Sequence, residues 1–367
     1  MRRDHKPALD CWRAIAALVV VVSHVIQIYW WPTTGSGSQL QFVTGVAAKV
    51  AVLVFFVLSG YLVTRSIANN IGPRGFDVVN YLASRVARLY PPLVVAIVVS
   101  IGVFSVISLF HLPGHPAPLR HPKDLYAARD VLTLTVADVG NALLMNNGLT
   151  QVDGPLWSLY VEAIVYLGAG ALALALFGRT LLHRLGGGIL FLWSCSHLHN
   201  WGDLAYGAWW AVGAAVFLCT MHRRARWLLP PILVVLAGAI LLFDGDGHTR
   251  GLIALTVTFA ITALMFSFSS WSLRPLSWVA DFSYTLYLIH FPVLVLAYSL
   301  LLTPFMNSDA PPLWLRLTVS LMAAAAAIVV SYLLAKVAER TAMFKRLLLW
   351  APGRTRVTQD GHAVRTG

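Results

Sequence analysis

Long apolar segments dominate this chain and limit what it can fold into. Each main run approaches the roughly 20 helical residues that cross about 30 Å of hydrocarbon. A weaker run at 186–196 is needed to keep the later loops on their expected sides, which gives about ten spans. The sequence therefore predicts an all-α, polytopic membrane helix bundle. The main runs lie at about 11–31, 46–66, 90–110, 155–177, 203–221, 229–243, 250–270, 277–302 and 312–338.

The positions of the basic residues predict the orientation of this bundle. Hydrophobic residues make up 58% of the chain and charged residues only 11%. With about ten spans and a cytoplasmic N-terminus, most of the 27 Lys and Arg residues fall in inner loops, as the positive-inside rule requires. The C-terminus is then cytoplasmic too. Because the charges are spread over loops, the net charge of +12 predicts no nucleic-acid partner.

The segments between the spans are too short for a second domain. We expect residues 1–345 to form one membrane domain and 346–367 a disordered cytoplasmic tail. The longest connecting segment, at about 111–154, is expected to fold over the outer face as a partial lid or a re-entrant segment. The three cysteines have neither metal-ligand nor disulfide spacing, and no metal site is predicted.

Arg13 and His24 are ionisable residues inside an otherwise apolar run. Charged or polar side chains are costly in hydrocarbon, so such residues are functional candidates. Their separation is about three helical turns, so both side chains project from one face, roughly 16 Å apart along the axis.

Glu162 is a third candidate, because it is one of two glutamates in the chain and falls inside the run at 155–177. Counted along the helices, it lies at nearly the same depth as His24. A carboxylate and an imidazole at one level predict a base and its orienting group, as used for acyl or proton transfer. The alternative is a buried pair that only holds two helices together.

Five blocks of sequence occur in a fixed order along the chain, beginning at residue 9. They are 9–18 with His24, 55–62, 85–91, 156–162 and 282–290. Together they resemble the membrane acyltransferase-3 family, which implies a ten-helix acyltransferase domain over 1–345. Family members move an acyl group, commonly acetyl, from acyl-CoA to a hydroxyl of a glycan, a lipid-linked sugar or a small secreted molecule. Asp281 and Phe282 depart from the family, which usually has a small residue before the Ser-Tyr block.

The resemblance assigns roles to individual residues. The family's Arg/Lys-x10-His motif matches Arg13 and His24, and its Arg-x-x-Arg loop matches Arg85 and Arg88. The phosphates of CoA need cations at the cytoplasmic mouth, and the arginine fork suits them. The alternative for the two loop arginines is ordinary positive-inside charge.

The remaining candidates are aromatic residues and a second histidine in the membrane. Aromatic side chains near helix ends line an acyl or sugar channel or serve as interface anchors. His290 is followed by Pro292. Its side chain either caps a backbone group that the proline kink leaves without a hydrogen bond or belongs to the functional site. The predicted substrate-binding set is Trp157, Tyr160, Tyr284, Tyr287 and His290.

The predicted function is O-acylation at a bacterial inner membrane. Acyl-CoA, most simply acetyl-CoA, is the expected donor substrate, no tightly bound cofactor is expected, and a cell-surface or exported glycan is the expected acceptor. Arg13, His24 and Glu162 are the predicted catalytic residues, with His24 acting as general base or carrying the acyl group transiently. The alternatives are acylation of a small secreted metabolite such as a macrolide, a proton-coupled transporter that uses the same three residues as a proton path, and a non-catalytic partner in polysaccharide export.

Overall fold

The computed structural model describes residues 7–35, 37–124, 131–146, 148–198, 201–221, 253, 256–262, 265 and 273–350. These residues are mostly helical, and their single sheet is the hairpin of β1 (Ile71–Gly72) and β2 (Gly75–Phe76). The predicted all-α class is confirmed. The helices are α1 (Pro7–Tyr29), α2 (Trp31–Thr34), α3 (Gln39–Asn70), α4 (Val78–Leu109), α5 (Val136–Leu143), α6 (Trp157–Phe177), α7 (Leu181–Ser196), α8 (Trp201–Met221), α9 (Arg274–Ala280), α10 (Ser283–Leu302), α11 (Leu313–Ala338) and α12 (Thr341–Leu348).

Seven helical segments in the described part of the chain are long and apolar enough to cross a membrane. They coincide with seven of the predicted runs. The run at 229–243 and most of the run at 250–270 lie outside the described residues, so the total of about ten spans and the cytoplasmic termini stay predictions. The seven segments are Pro7–Tyr29, Gln39–Asn70, Val78–Leu109, Gly154–Phe177, Asp203–Met221, Ser283–Phe305 and Leu313–Leu348.

The weaker run at 186–196 forms α7, which is shorter than these segments and packs along α6. A side chain on Gly168 of α6 would meet Ser194, and one on Gly187 of α7 would meet the backbone of Ala171 and Ala175. The two helices are therefore antiparallel. This reversal returns the chain to the end of the bundle where α6 begins, as the predicted loop order requires.

The central helix of the bundle is α10, which packs against α1, α4 and α11. It is apolar on all faces, which is typical of a helix surrounded by others, and side chains such as Leu286, Ile289 and Leu294 are buried. α1 and α10 run side by side, because Arg13 contacts Ser283 and Tyr29 contacts Leu294. We call the end where α1 and α10 both begin the inner end, after the predicted cytoplasmic N-terminus, and the opposite end the outer end.

Two glycines allow α3 and α8 to cross at close range. A Cβ on Gly60 would collide with the carbonyl oxygen of Trp210, and one on Gly213 with that of Val57. Small residues at such crossings let backbones approach within a membrane. The structure therefore gives Gly60 a close-packing role between α3 and α8.

Gly60→Val is expected to push α3 away from α8 and to cost about 1–3 kcal/mol of stability, the usual penalty for overpacking. Gly45→Val is the matched control, because Gly45 lies on the same helix and a Cβ there would meet nothing within 4 Å. Thermal unfolding of both variants in one detergent measures the difference. Equal midpoints would show that the α3–α8 contact tolerates separation.

The described parts of the segment from 111 to 154, which are residues 111–124, 131–146 and 148–154, cover the outer end of the bundle. Leu112, Leu119 and Leu132 are buried in one cluster with side chains of α10. His121 is also buried, and its Nε2 lies 2.9 Å from the Phe305 carbonyl oxygen. These described parts therefore form a packed cover, which is compatible with the predicted partial lid.

Cysteine labelling of intact cells tests the predicted orientation. In a background without the native cysteines, Ala117→Cys in the outer cover is expected to react with an impermeant thiol reagent. Ala225→Cys, in a basic loop outside the described residues, is expected to stay unlabelled because the loop faces the cytoplasm. Labelling of Ala225→Cys would overturn the predicted order of spans.

The chain continues as a helix past the boundary predicted at 345. α12 reaches Leu348, and Met343 and Leu347 on it are exposed. The end of α12 therefore falls within the segment that the sequence predicts as a tail, and the boundary at 345 stays a prediction. Residues 351–367 lie outside the described residues.

Candidate active site

A cavity of about 330 Å³ lies between the helices near the inner end. One part of its wall is apolar and comes from α3, with side chains such as Val52, Phe55 and Leu62. The other part is polar and contains most of the predicted site residues. The polar lining consists of Arg13, Ser59, Arg85, Arg88, Ser158, Glu162, Tyr166, Tyr284 and Tyr287.

Arg13 is held at the cavity by contacts on three sides. Its Nη2 lies 2.9 Å from Asp10 Oδ1 and donates to the Ala280 carbonyl oxygen at 3.2 Å, while Nε donates to Ser283 Oγ at 3.1 Å. The spacing of Asp10 and Arg13 on one helix face favours their pairing. Arg13 therefore joins α1 to the start of α10 and leaves part of its guanidinium facing the cavity.

Arg85 and Arg88 lie on α4, about two to three turns after the helix begins at Val78. The family resemblance implies a loop at this place. Arg85 donates from Nη2 to Ser66 Oγ at 3.2 Å, but its buried Nε has no hydrogen-bond partner in the described part of the chain. Arg88 stands over the ring of Tyr284 at 5.7 Å. Arg88 makes no hydrogen bond to another described residue, and the buried Tyr284 hydroxyl also lacks a partner among those residues. Unfilled donors next to a cation suit an anionic ligand.

Glu162 ends a short chain of hydrogen bonds. Tyr166 donates to Glu162 Oε1 at 2.5 Å, and Ser59 Oγ donates to the Tyr166 hydroxyl at 3.0 Å. The carboxylate also interacts electrostatically with Arg88 and Arg85. Glu162 therefore orients the Tyr166 hydroxyl and offsets the positive charge of the two arginines.

Glu339, the other glutamate, sits at the N-terminus of α10. Its Oε1 accepts hydrogen bonds from the Thr285 backbone N–H at 2.8 Å and from Thr285 Oγ1 at 2.7 Å. A carboxylate at this place satisfies backbone donors and is favoured by the helix dipole. It also adds negative charge near Arg13 and Arg88.

Ser158 and Tyr287 close the far side of the cavity with a hydrogen bond of 2.8 Å between their hydroxyls. Ser158 also donates to the Pro155 carbonyl oxygen, at the turn before α6. Tyr287 packs edge-on against Phe55. This contact lies near the next group of polar side chains, since the ring centroids of Tyr287 and His290 are 6.4 Å apart.

His24 and His290 form a pair beyond this contact. His24 Nδ1 lies 2.8 Å from His290 Nε2, and His290 Nδ1 lies 2.8 Å from the Leu286 carbonyl oxygen. His290 is completely buried. Phe291 packs edge-on against His24, with ring centroids 5.1 Å apart. The membrane segment thus contains a hydrogen-bonded histidine pair about one helical turn from the cavity.

The structure does not bring His24 and Glu162 together as the expected pair. Among the described residues, Glu162 bonds to Tyr166 and His24 bonds to His290. Equal depth along two helices predicts contact only if the helices are neighbours. Glu162 lies on α6, whereas α1 packs mainly against α3, α9, α10 and α11. The imidazole of His290 lies next to His24, where the carboxylate of Glu162 was expected.

The predicted substrate-binding residues divide into two groups. Tyr284 and Tyr287 line the cavity. Trp157 packs against Tyr206, and Tyr160 donates to the His197 carbonyl oxygen at 2.8 Å, so neither belongs to the cavity lining.

Several polar residues of the site were missed from the sequence. Tyr166 follows Glu162 by one helical turn, so helical spacing alone could have identified it. Ser59 and Ser158 carry no comparable signal, and the contact between Glu339 and Thr285 joins distant parts of the chain. In the part of the chain that the structure describes, no group of three or more His, Cys, Asp or Glu side chains could hold a metal ion.

Comparison with known proteins gives an independent indication of function. A family model, acyltransferase 3, described as an acyltransferase domain, matches residues 6–336. An O-acetyl transferase of Shigella phage Sf6 is 25% identical over 167 residues, which cover 44% of this chain and 44% of the phage protein. Protein 2 in the picA locus of Rhizobium radiobacter is 29% identical over 164 residues, covering 43% of this chain and 76% of that protein. The match therefore spans less than half the length of the phage relative, and no solved structure matches.

Proposed function

Because the chain belongs to the acyltransferase 3 family, we propose that it is a membrane O-acyltransferase that uses acyl-CoA and acts at a bacterial inner membrane. The acyl group is acetyl and the acceptor is a hydroxyl of a cell-surface or exported glycan. The similarity to a phage O-acetyl transferase supports acetyl as the group transferred.

The observation that carries this proposal is a cationic cavity next to a histidine pair. Arg13, Arg85 and Arg88 line a pocket whose opposite wall is apolar. CoA needs both surfaces, because its phosphates require cations and its pantetheine arm and acyl chain pack on apolar groups. The buried Nε of Arg85 and the buried hydroxyl of Tyr284 have no hydrogen-bond partner among the described residues, which supports an anionic ligand there.

The chemistry follows from the position of His24. A neutral imidazole takes the proton of the acceptor hydroxyl, the oxygen attacks the thioester carbonyl carbon, and the carbon–sulfur bond breaks. The products are an ester and CoA, whose thiolate takes up the proton. A second route forms acyl-histidine first and then transfers the acyl group to the hydroxyl. Both routes need the thioester to reach from the cavity past Tyr287 to the histidine pair.

Two measurements test the proposal. Full-length protein in lipid nanodiscs is supplied with acetyl-CoA, and the release of CoA thiol is followed. Mass spectrometry then compares surface glycans and secreted metabolites of a deletion strain and of the complemented strain. Thiol release together with loss of an acetylated glycan supports the proposal. Loss of an acetylated metabolite instead corrects the acceptor, and proton-driven flux without thiol release supports a transporter.

A further inference from the structure

His290 has a partner at each ring nitrogen, and this determines where its proton lies. Nδ1 is 2.8 Å from the Leu286 carbonyl oxygen, and Nε2 is 2.8 Å from His24 Nδ1. A carbonyl oxygen can only accept a hydrogen bond, so Nδ1 of His290 must carry a proton. Full burial removes the water that would stabilise a charged imidazolium at this position. His290 is therefore neutral, with its lone pair at Nε2.

The state of His290 determines the tautomer of His24. Because Nε2 of His290 can only accept, the proton shared by the two rings belongs to Nδ1 of His24. A neutral His24 then has its basic lone pair at Nε2. The edge-on contact with Phe291 limits rotation of the His24 ring, so the position of this lone pair is fixed as well.

We propose that His290 is a positioning residue, which holds His24 in the tautomer whose basic nitrogen is Nε2. This inference rests on the proposed acyl transfer and extends it. When Nε2 of His24 takes the acceptor proton, the Nδ1–H bond to His290 stays in place and stabilises the new imidazolium. The arrangement corresponds to the base and orienting group of a catalytic triad, with an imidazole fixed by a backbone carbonyl in place of a carboxylate. His290 is thereby reassigned from substrate binding.

A matched pair of substitutions tests this role. The amide of His290→Asn reaches the level of the original Nδ1 and keeps the Leu286 contact, but it falls short of His24. The amide of His290→Gln reaches the level of Nε2 and can still accept from His24. Both variants are polar and differ by one methylene. We measure thiol release from acetyl-CoA, with water as the acceptor, by full-length protein in nanodiscs.

The expected result is a change in kcat without a change in KM. His290→Asn is expected to lower kcat about 10²-fold, since an orienting group acts through the base that it holds. His290→Gln is expected to stay within about tenfold of wild type. The KM for acetyl-CoA stays the same in both, because the cavity arginines are untouched. His121→Phe is the control for loss of a buried histidine outside the site, and its kcat is expected to match wild type.

A double substitution separates positioning from general stability. In a His24→Ala protein, adding His290→Asn is expected to cause no further loss, because the two residues act as one unit. Equal kcat values for wild type and His290→Asn, equal losses in the Asn and Gln variants, or an independent further loss in the double variant would each overturn the inference. Absence of thiol release by the wild-type protein, both with water and with membranes that contain the glycan acceptor, would instead contradict the proposed function itself.

Discussion

His24→Ala is expected to lower the rate of acyl transfer by a factor of about 10²–10⁴ or more, the range attributed to general acid–base catalysis. The imidazole of His24 is the basic group next to the far side of the donor cavity, and alanine offers no lone pair for the acceptor proton. Acetyl-CoA binding is expected to persist, because Arg13, Arg85 and Arg88 belong to the cavity lining and His24 does not. The measurement is single-turnover acyl transfer together with equilibrium binding of acetyl-CoA.

A control variant shows whether any loss comes from the chemistry or from the fold. Gln27 lies about one turn beyond His24 on the same helix and outside the cavity lining. Gln27→Ala removes a polar side chain of α1 without touching the histidine pair, so transfer is expected to be near the wild-type rate. Transfer by His24→Ala within about threefold of wild type would return the histidine pair to a structural role.

The helices and several site residues could be predicted because they depend on local rules. Apolar runs set the positions of seven spans, and helical spacing placed Arg13 and His24 on one face. The cost of a buried charge singled out Arg13 and Glu162 as unusual, and both line the cavity. These residues could be identified from the sequence of a single helix and a single physical rule.

The partners of the site residues could not be predicted in the same way. Position along a helix gives the depth of a side chain, but packing decides which neighbouring helix it faces. His24 meets His290 because α1 packs against α10. Glu339 meets Thr285 only after the end of α11 folds back onto the start of α10. Such contacts depend on the tertiary arrangement of helices, which the apolar pattern alone leaves open.

Combined substitution of Arg85 and Arg88 by alanine is expected to raise the apparent KM for acetyl-CoA much more than the KM for the acceptor. Removing one partner of a buried charged hydrogen bond costs about 2–5 kcal/mol, or roughly thirtyfold and more in affinity. Both guanidinium groups line the cavity that we propose for the donor, whereas the histidine pair beyond it is the proposed place of reaction of the acceptor hydroxyl. Initial rates with each substrate varied in turn provide the measurement.

The two arginines are expected to contribute unequally when replaced singly. Arg85 already donates to Ser66, so part of its hydrogen-bonding capacity is used within the protein. Arg88 stands over Tyr284 and makes no hydrogen bond to another described residue, so more of its donors remain for a phosphate or a thioester carbonyl. Arg88→Ala should therefore raise the KM for acetyl-CoA more than Arg85→Ala. Arg179→Ala removes an exposed arginine between α6 and α7 and controls for the lost charge. If all three variants keep the wild-type dependence on acetyl-CoA, the arginine-lined cavity is not the donor site.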